Sequence, residues 1–153
     1  MKKGYIFANT KITLTSLEDF FSVLPDFQVS GSLHFSMGKD IVIADQPDII
    51  FLSDELTSTE CLTFLNEIEK TSLFDNISIV YVVFELSEHK KKWLLSEKRI
   101  DAWLSFNVSS FERQYCIEKI LERMKYKKQF HALQMKNDSL QSTCTKYEYK
   151  TKF

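Results

Sequence analysis

Glycine is scarce in this 153-residue chain: Gly4, Gly31 and Gly38 are the only three, and they stand far apart. A phosphate-cradling loop needs several glycines within one turn, so that nucleotide-binding device is excluded. No Gly-x-Ser-x-Gly elbow, which would present a hydrolase serine, occurs either. Cysteine is equally thin. Cys61, Cys116 and Cys144 are odd in number and scattered, which suggests neither a disulfide framework nor a zinc knuckle and suits a reducing compartment. There the Asn-x-Ser triplets at Asn76, Asn107 and Asn137 carry no meaning for glycosylation. His34, His89 and His131 are far apart and form no zinc-binding spacing, so no metal is expected. Long apolar runs are also missing. Stretches such as Ile49–Leu52 and Ile79–Phe84 fall well short of the roughly 18–20 residues a membrane span requires. The N-terminal lysine pair runs into Gly-Tyr-Ile-Phe-Ala-Asn-Thr, without a signal peptide's apolar length or cleavage site. A cytoplasmic address and no membrane partner are the expectation.

What is present reads as one ordinary folded domain, with 44% apolar and 27% charged residues. The net charge of −1 hides an asymmetry. Residues 123–153 hold eight Lys/Arg against two Asp/Glu, whereas residues 1–122 hold twelve against nineteen. The bland reading of the basic end is a solvated helix and linker; the sharper one is contact with an acidic surface or with nucleic acid. We divide the chain into a domain over 1–124 and a basic helical extension or linker over 125–153, which could lead to an output domain.

Short blocks rich in Ile, Val, Phe and Tyr at 4–7, 27–33, 49–52, 77–84 and 102–106 have strand length. Between them lie helical spacings with start signals. Thr15 with Glu18 precedes Phe20-Phe21, and Thr57 with Glu60 precedes Leu62, Phe64, Leu65 and Ile68; each pair reads as a capping box. Strands alternating with helices imply a parallel sheet, because only a crossover can return the chain for parallel pairing. Blocks 49–52 and 79–84 are apolar at consecutive positions and belong in mid-sheet, while Phe27, Val29, Gly31 and Leu33 alternate as on an edge strand. Segment 38–46 reads as a helix, although Ile41-Val42-Ile43 also suits a strand. Residues 87–98 form a thin amphipathic helix, with Trp93, Leu94 and Leu95 its only apolar residues and therefore a loose hold. The last helix starts at Ser109 or Ser110 with Glu112 completing a box, and Phe111, Tyr115, Ile117, Ile120, Leu121 and Met124 stand at core spacing. Beyond it the stripe thins to Phe130, Leu133 and Leu140, and Tyr147, Tyr149, Thr151 and Phe153 alternate like an incipient strand.

The block Pro47-Asp48-Ile49-Ile50-Phe51-Leu52-Ser53, followed by the capped segment with Leu62, Phe64 and Leu65, resembles the third strand and helix of response-regulator receiver domains. Residues 77–84 look like their fourth strand, and Ile100 to Asn107 like the fifth with its Lys-Pro ending. The resemblance covers roughly residues 3–124. It implies a doubly wound, flavodoxin-like α/β fold of five parallel strands in the order 2-1-3-4-5, with functional residues at the carboxyl ends of the strands.

Transferred position by position, the resemblance places the phosphoacceptor aspartate at Ser53 and the magnesium-holding acidic pair near Ala8, Asn9 and Thr10. The hydroxyl ending the fourth strand falls at Val83, the lysine ending the fifth at Phe106, and the following proline at Asn107. An aspartyl phosphate forms when a carboxylate attacks phosphorus while a divalent cation and a lysine neutralise the equatorial oxygens. A serine, a valine and a phenylalanine at these positions cannot do this, and Asn9 and Thr10 supply no carboxylate for Mg²⁺. No catalytic residue, cofactor or enzymatic activity is therefore expected. Asp54, one residue late, is a surrogate acceptor or metal ligand only if the shift to the opposite strand face can be tolerated; an exposed loop carboxylate is the plainer reading.

Without switch chemistry, function must lie in a surface. In receivers the fourth helix, fifth strand and fifth helix form the common dimer and output face, which here assigns Trp103, Trp93 and Tyr115 as interface or switch residues. The alternative for Trp103 is that it simply covers core. The expected partners are proteins, a second copy first among them, with nucleic acid reached only through a following domain. The readings are a phosphorylation-independent receiver acting by protein contact, the regulatory half of a DNA-binding transcriptional regulator, and a receiver with an altered but ligand-responsive pocket.

Overall fold

Strands and helices alternate along the chain in the computed structural model, which describes residues 2–134, with side chains described as far as Tyr126. The strands are β1 (Lys2–Phe7), β2 (Phe27–Ser32), β3 (Ile49–Ser53), β4 (Ser78–Val83) and β5 (Ala102–Ser105). The helices are α1 (Lys11–Ser22), α2 (Gly38–Asp45), α3 (Ser58–Glu69), α4 (Glu88–Ser96) and α5 (Ser110–Gln134). All strand pairs are parallel, in the order β2-β1-β3-β4-β5. β3 and β4 are buried along their whole length and β2 lies at the edge, as their patterns predict.

Strand alternation divides the core into two layers. Ile6, Ile49, Phe51, Val80, Val82, Ala102 and Leu104 pack under α1 and α5. Phe7, Ile50, Leu52, Ile79, Tyr81, Val83 and Trp103 pack under α2, α3 and α4. Two aspartates fix strand starts in the same way. Asp48 accepts from the Lys3 amide at 2.9 Å while its own amide donates to the Lys3 carbonyl at 2.8 Å. Asp101 does the same with both backbone groups of Ile79, at 2.8 Å each. With so few glycines, the left-handed cap of α2 falls to Gln46 (φ 50°), whose amide reaches the Val42 carbonyl. Gly4 serves close packing instead: a Cβ there would lie 2.8 Å from the Phe27 ring.

The Thr57–Glu60 capping box forms as expected. The Thr15–Glu18 box does not. α1 begins five residues earlier, with Thr10 as its cap accepting from the Thr13 amide at 3.3 Å, so Thr15 and Glu18 lie inside the helix. Residues 38–45 are helical, which settles Ile41-Val42-Ile43 in favour of a helix. Ser109 caps α5 through the Glu112 amide. Cys116, Ile117, Ile120 and Met124 are buried, but Phe111 is 79% exposed and Tyr115 53% exposed, so neither belongs to the core stripe. At about 100° per residue Phe111 points roughly 120° away from Ile117. α5 continues through Gln134, past the boundary at 124, while Leu140 and the alternating Tyr147–Phe153 stretch lie outside the described residues. Among the described residues no helix is long and apolar enough to cross a membrane.

Candidate functional site

In an open parallel sheet ligands bind beyond the carboxyl ends of the strands, where the strand order reverses. Here that point lies between β1 and β3. It brings together the turn Ala8-Asn9-Thr10, the turn Ser53-Asp54-Glu55, the end of β4 at Val83 and the end of β5 at Phe106. The residues assigned from the sequence do converge.

Glu55, which sequence reasoning missed, spans the switch point. One carboxylate oxygen accepts from the amides of Asn9 and Thr10, the latter at 2.9 Å, and the other accepts from the Thr13 hydroxyl at 2.9 Å. The Asn9 side chain returns a bond to the Glu55 carbonyl at 3.1 Å. A carboxylate held on the turn amides just before α1, and on the Thr13 hydroxyl of its first turn, also lies near the positive end of the helix dipole. The α1 N-terminus, free to receive an anion in principle, is thus closed by the protein's own anion. Only the tertiary structure brings residue 55 to residues 9–13, so no local spacing could have signalled it.

Asp54 is not the exposed loop carboxylate expected from the sequence. Its side chain is 6% exposed. Oδ2 accepts from the amides of Phe84 and Glu85 at 3.0 and 3.3 Å, and Oδ1 accepts from the Tyr81 hydroxyl at 3.2 Å and forms an ion pair with Lys90. Burial, with the neighbouring Asp54 charge, pushes the Tyr81 phenol above its ordinary value, so it stays a protonated donor. Asp54 faces the β4–α4 turn rather than the β1–β3 cleft.

Ser53 is fully buried, its hydroxyl accepting from the Glu55 amide at 3.3 Å, and Val83 is 2% exposed. Phe106 stacks on Phe20, ring centroids 5.0 Å apart and 23° between planes, and tilts against Phe84 at 5.0 Å. Arg113 lies over the other ring of this set, 3.6 Å from the Phe20 centroid, and donates to the Phe20 carbonyl at 2.7 Å. Desolvation lowers its guanidinium below the ordinary arginine value without bringing it near neutrality. Where a receiver places a lysine, this chain has an aromatic stack. Asn107 donates from its amide to the Ser105 hydroxyl at 3.3 Å.

The magnesium ion implied by the resemblance does not fit these residues. Mg²⁺ takes carboxylate oxygens in an octahedral array. Asn9 and Thr10 have none, Glu55 spends one oxygen on their amides and the other on the Thr13 hydroxyl, and Asp54 is paired with Lys90. Among the described residues no cluster of three or more His, Cys, Asp or Glu could hold a metal.

Of the three interface residues, Trp103 is 5% exposed within the core beneath α4, the outcome in which it covers apolar residues. Trp93 is half-buried and meets the Tyr81 ring edge-on at 5.5 Å. Tyr115 lines a groove of about 520 Å³ between β5 and α5, with Leu104, Val108, Phe111 and Tyr126. The structure therefore separates Tyr115, on α5, from the two tryptophans, of which Trp93 lies on α4 and Trp103 packs in the core beneath it.

No family model matches the sequence, and no curated protein matches it. Solved structures do. The chain is similar to the signal receiver domain of an HD domain-containing protein from Pseudomonas fluorescens, with 14% identity, a TM-score of 0.65 and coverage of 82% of this chain and 98% of that one. It is likewise similar to the N-terminal domain of a lantibiotic response regulator, the nisin resistance regulator, with 23% identity, a TM-score of 0.63 and coverage of 79% and 98%. A DNA-binding response regulator of the LuxR family from Staphylococcus aureus aligns with 17% identity, a TM-score of 0.64 and coverage of 78% and 98%. With the strand order and the five alternating helices, these likenesses show that the chain has, over about four fifths of its length, the fold of a response-regulator receiver domain.

Proposed function

We propose that this chain is a phosphorylation-independent receiver-fold module that acts in signal transduction through protein contact. The observation that carries the reading is the occupied carboxyl edge of the sheet: Glu55 closes the α1 N-terminus, Phe106 stacks where a cation would be needed, and Ser53 carries no charge. Attack on phosphorus there would lack the nucleophile, the metal and the charge-neutralising lysine together. Incubation with acetyl phosphate and Mg²⁺ should leave the intact mass unchanged, and a gain of one phosphoryl group overturns the reading.

The contact surface we assign is the outer side of α5 with β5. Phe111, Tyr115 and Tyr126 are each more than half exposed there, and a run of exposed aromatics marks an interaction site. Glu112 and Glu122 alternate with Lys119 and Arg123 along the same groove, a charge order that a second copy in antiparallel register can complement. Sedimentation should give a dimer at tens of micromolar that Phe111→Ser weakens without unfolding the domain. A wild-type monomer would remove this assignment.

A second reading, the regulatory half of a transcriptional regulator, is favoured by the basic 123–153 stretch and by the likeness to a DNA-binding response regulator. A reading frame encoding a DNA-binding domain next to this one would establish it. The basic stretch alone should bind DNA weakly and lose it steeply with salt.

A further inference from the structure

We propose that Arg113 positions the contact surface: docked on Phe20 of α1, it fixes the rotation of the first turns of α5 about the helix axis and turns Phe111 and Tyr115 outward. The functional consequence rests on the α5 surface assigned under Proposed function; the geometry does not. Those first turns have little else to hold them. From Ser110 to Tyr115 every residue except Arg113 is exposed, and burial resumes only at Cys116 and Ile117. Val108 packs partly buried before the helix starts. The Ser109 cap is a local bond to the Glu112 amide, which shapes the helix end without tying it to a neighbour.

Arg113 makes two contacts with one residue. Its guanidinium carbon lies 3.6 Å from the Phe20 ring centroid, and Nη1 donates to the Phe20 carbonyl at 2.7 Å. The Nε proton is buried without an acceptor among the described residues, so ring and carbonyl are its hold. Phe20 lies in the last turn of α1, where carbonyls lack partners within the helix and a cation is favoured. α1 has no basic residue of its own in that turn, and Arg113 supplies one from α5. The dock is itself fixed, because the Phe20 ring stacks on Phe106 and Phe106 leans on Phe84, at the ends of β5 and β4. At about 100° per residue, positions two before and two after Arg113 point roughly 160° away from it. Those positions are Phe111 and Tyr115, which line the groove beside β5. Seating Arg113 inward and presenting the two aromatics are one event.

Amide hydrogen exchange and sedimentation, both on the full chain, test the assignment. Arg113→Met keeps an unbranched apolar stem and loses both contacts. Protection at residues 113–116 should then fall about tenfold, while 117–124 and 78–83 keep theirs. The dimer dissociation constant should rise severalfold without a matching change in the urea midpoint. Arg113→Lys, which retains a cation for the ring but lacks the planar fork, should recover part of both effects. Unchanged protection at 113–116 in Arg113→Met would overturn the proposal. So would an equal loss through 78–83, the mark of one stabilising contact among many, or lost protection with the dimer unaffected. A monomeric wild type would remove the contact surface itself, and the exchange result alone then decides whether Arg113 sets the rotation of α5.

Discussion

α3 and α4 flank the same side of the sheet and are held to it in different ways. α3 buries Cys61, Phe64, Leu65 and Ile68 and begins with a reciprocal capping box. α4 buries Leu94 alone, begins with a single cap in which the Ser87 hydroxyl accepts from the Lys90 amide, and is tied by ion pairs near both ends, Lys90 to Asp54 and Glu97 to Arg99, which also reaches Asn66 of α3. Apolar burial distributes the hold over many contacts that no single event can break, whereas charged ties concentrate it in a few.

The largest effect expected from breaking this contrast is on α3. Phe64, buried among Phe7 and Phe35 with centroids 5.4 and 5.0 Å away, should cost about 3–5 kcal/mol when replaced by alanine, read as a global shift in the urea midpoint. Leu94→Ala should cost about 2–3 kcal/mol, with much of the loss appearing as local exchange in residues 84–96 before global unfolding. Thr57→Ala removes one half of the capping box and should lower stability by about 1 kcal/mol in the same urea titration.

The smallest expected effect is a pH dependence. The Thr57 amide, donating to the Glu60 carboxylate, holds its pKa below the ordinary value of 4.5. A depressed folded value means that its contribution is fully present above the unfolded value and is lost as pH falls through the lower folded one. Urea midpoints of wild type and Glu60→Gln should therefore converge as the pH drops through the range below 4.5 and stay parallel above it.

Much of this architecture was legible from local signals. Thr57 and Glu60, three residues apart before an apolar run, specify the start of α3 unaided. The consecutive apolar residues of β3 and β4 place them in mid-sheet because both faces are covered. What could not be read depends on partners distant in the chain. Thr15 and Glu18 have the box spacing, yet Thr10 caps α1 because the chain leaves β1 at Phe7 and Glu55 closes the turn from forty-five residues away. Asp54 was misjudged because the rule of alternating strand faces applies within a strand, and Asp54 lies one residue past the end of β3. Its donors come from residues 81–90. The degenerate positions Ser53, Val83 and Phe106 were readable as residue types; that an aromatic stack and two committed carboxylates would replace the missing groups was not.

The proposal at the centre of the account is that the carboxyl edge of this sheet has no uncommitted carboxylate, and no lysine at the end of β5, to hold a phosphoryl group and its metal. Its most direct test is the amide spectrum recorded with and without Mg²⁺ and beryllofluoride. Superimposable spectra are expected at residues 8–10, 53–55, 83–85 and 105–107, whereas saturable shifts confined to those four turns would contradict the claim.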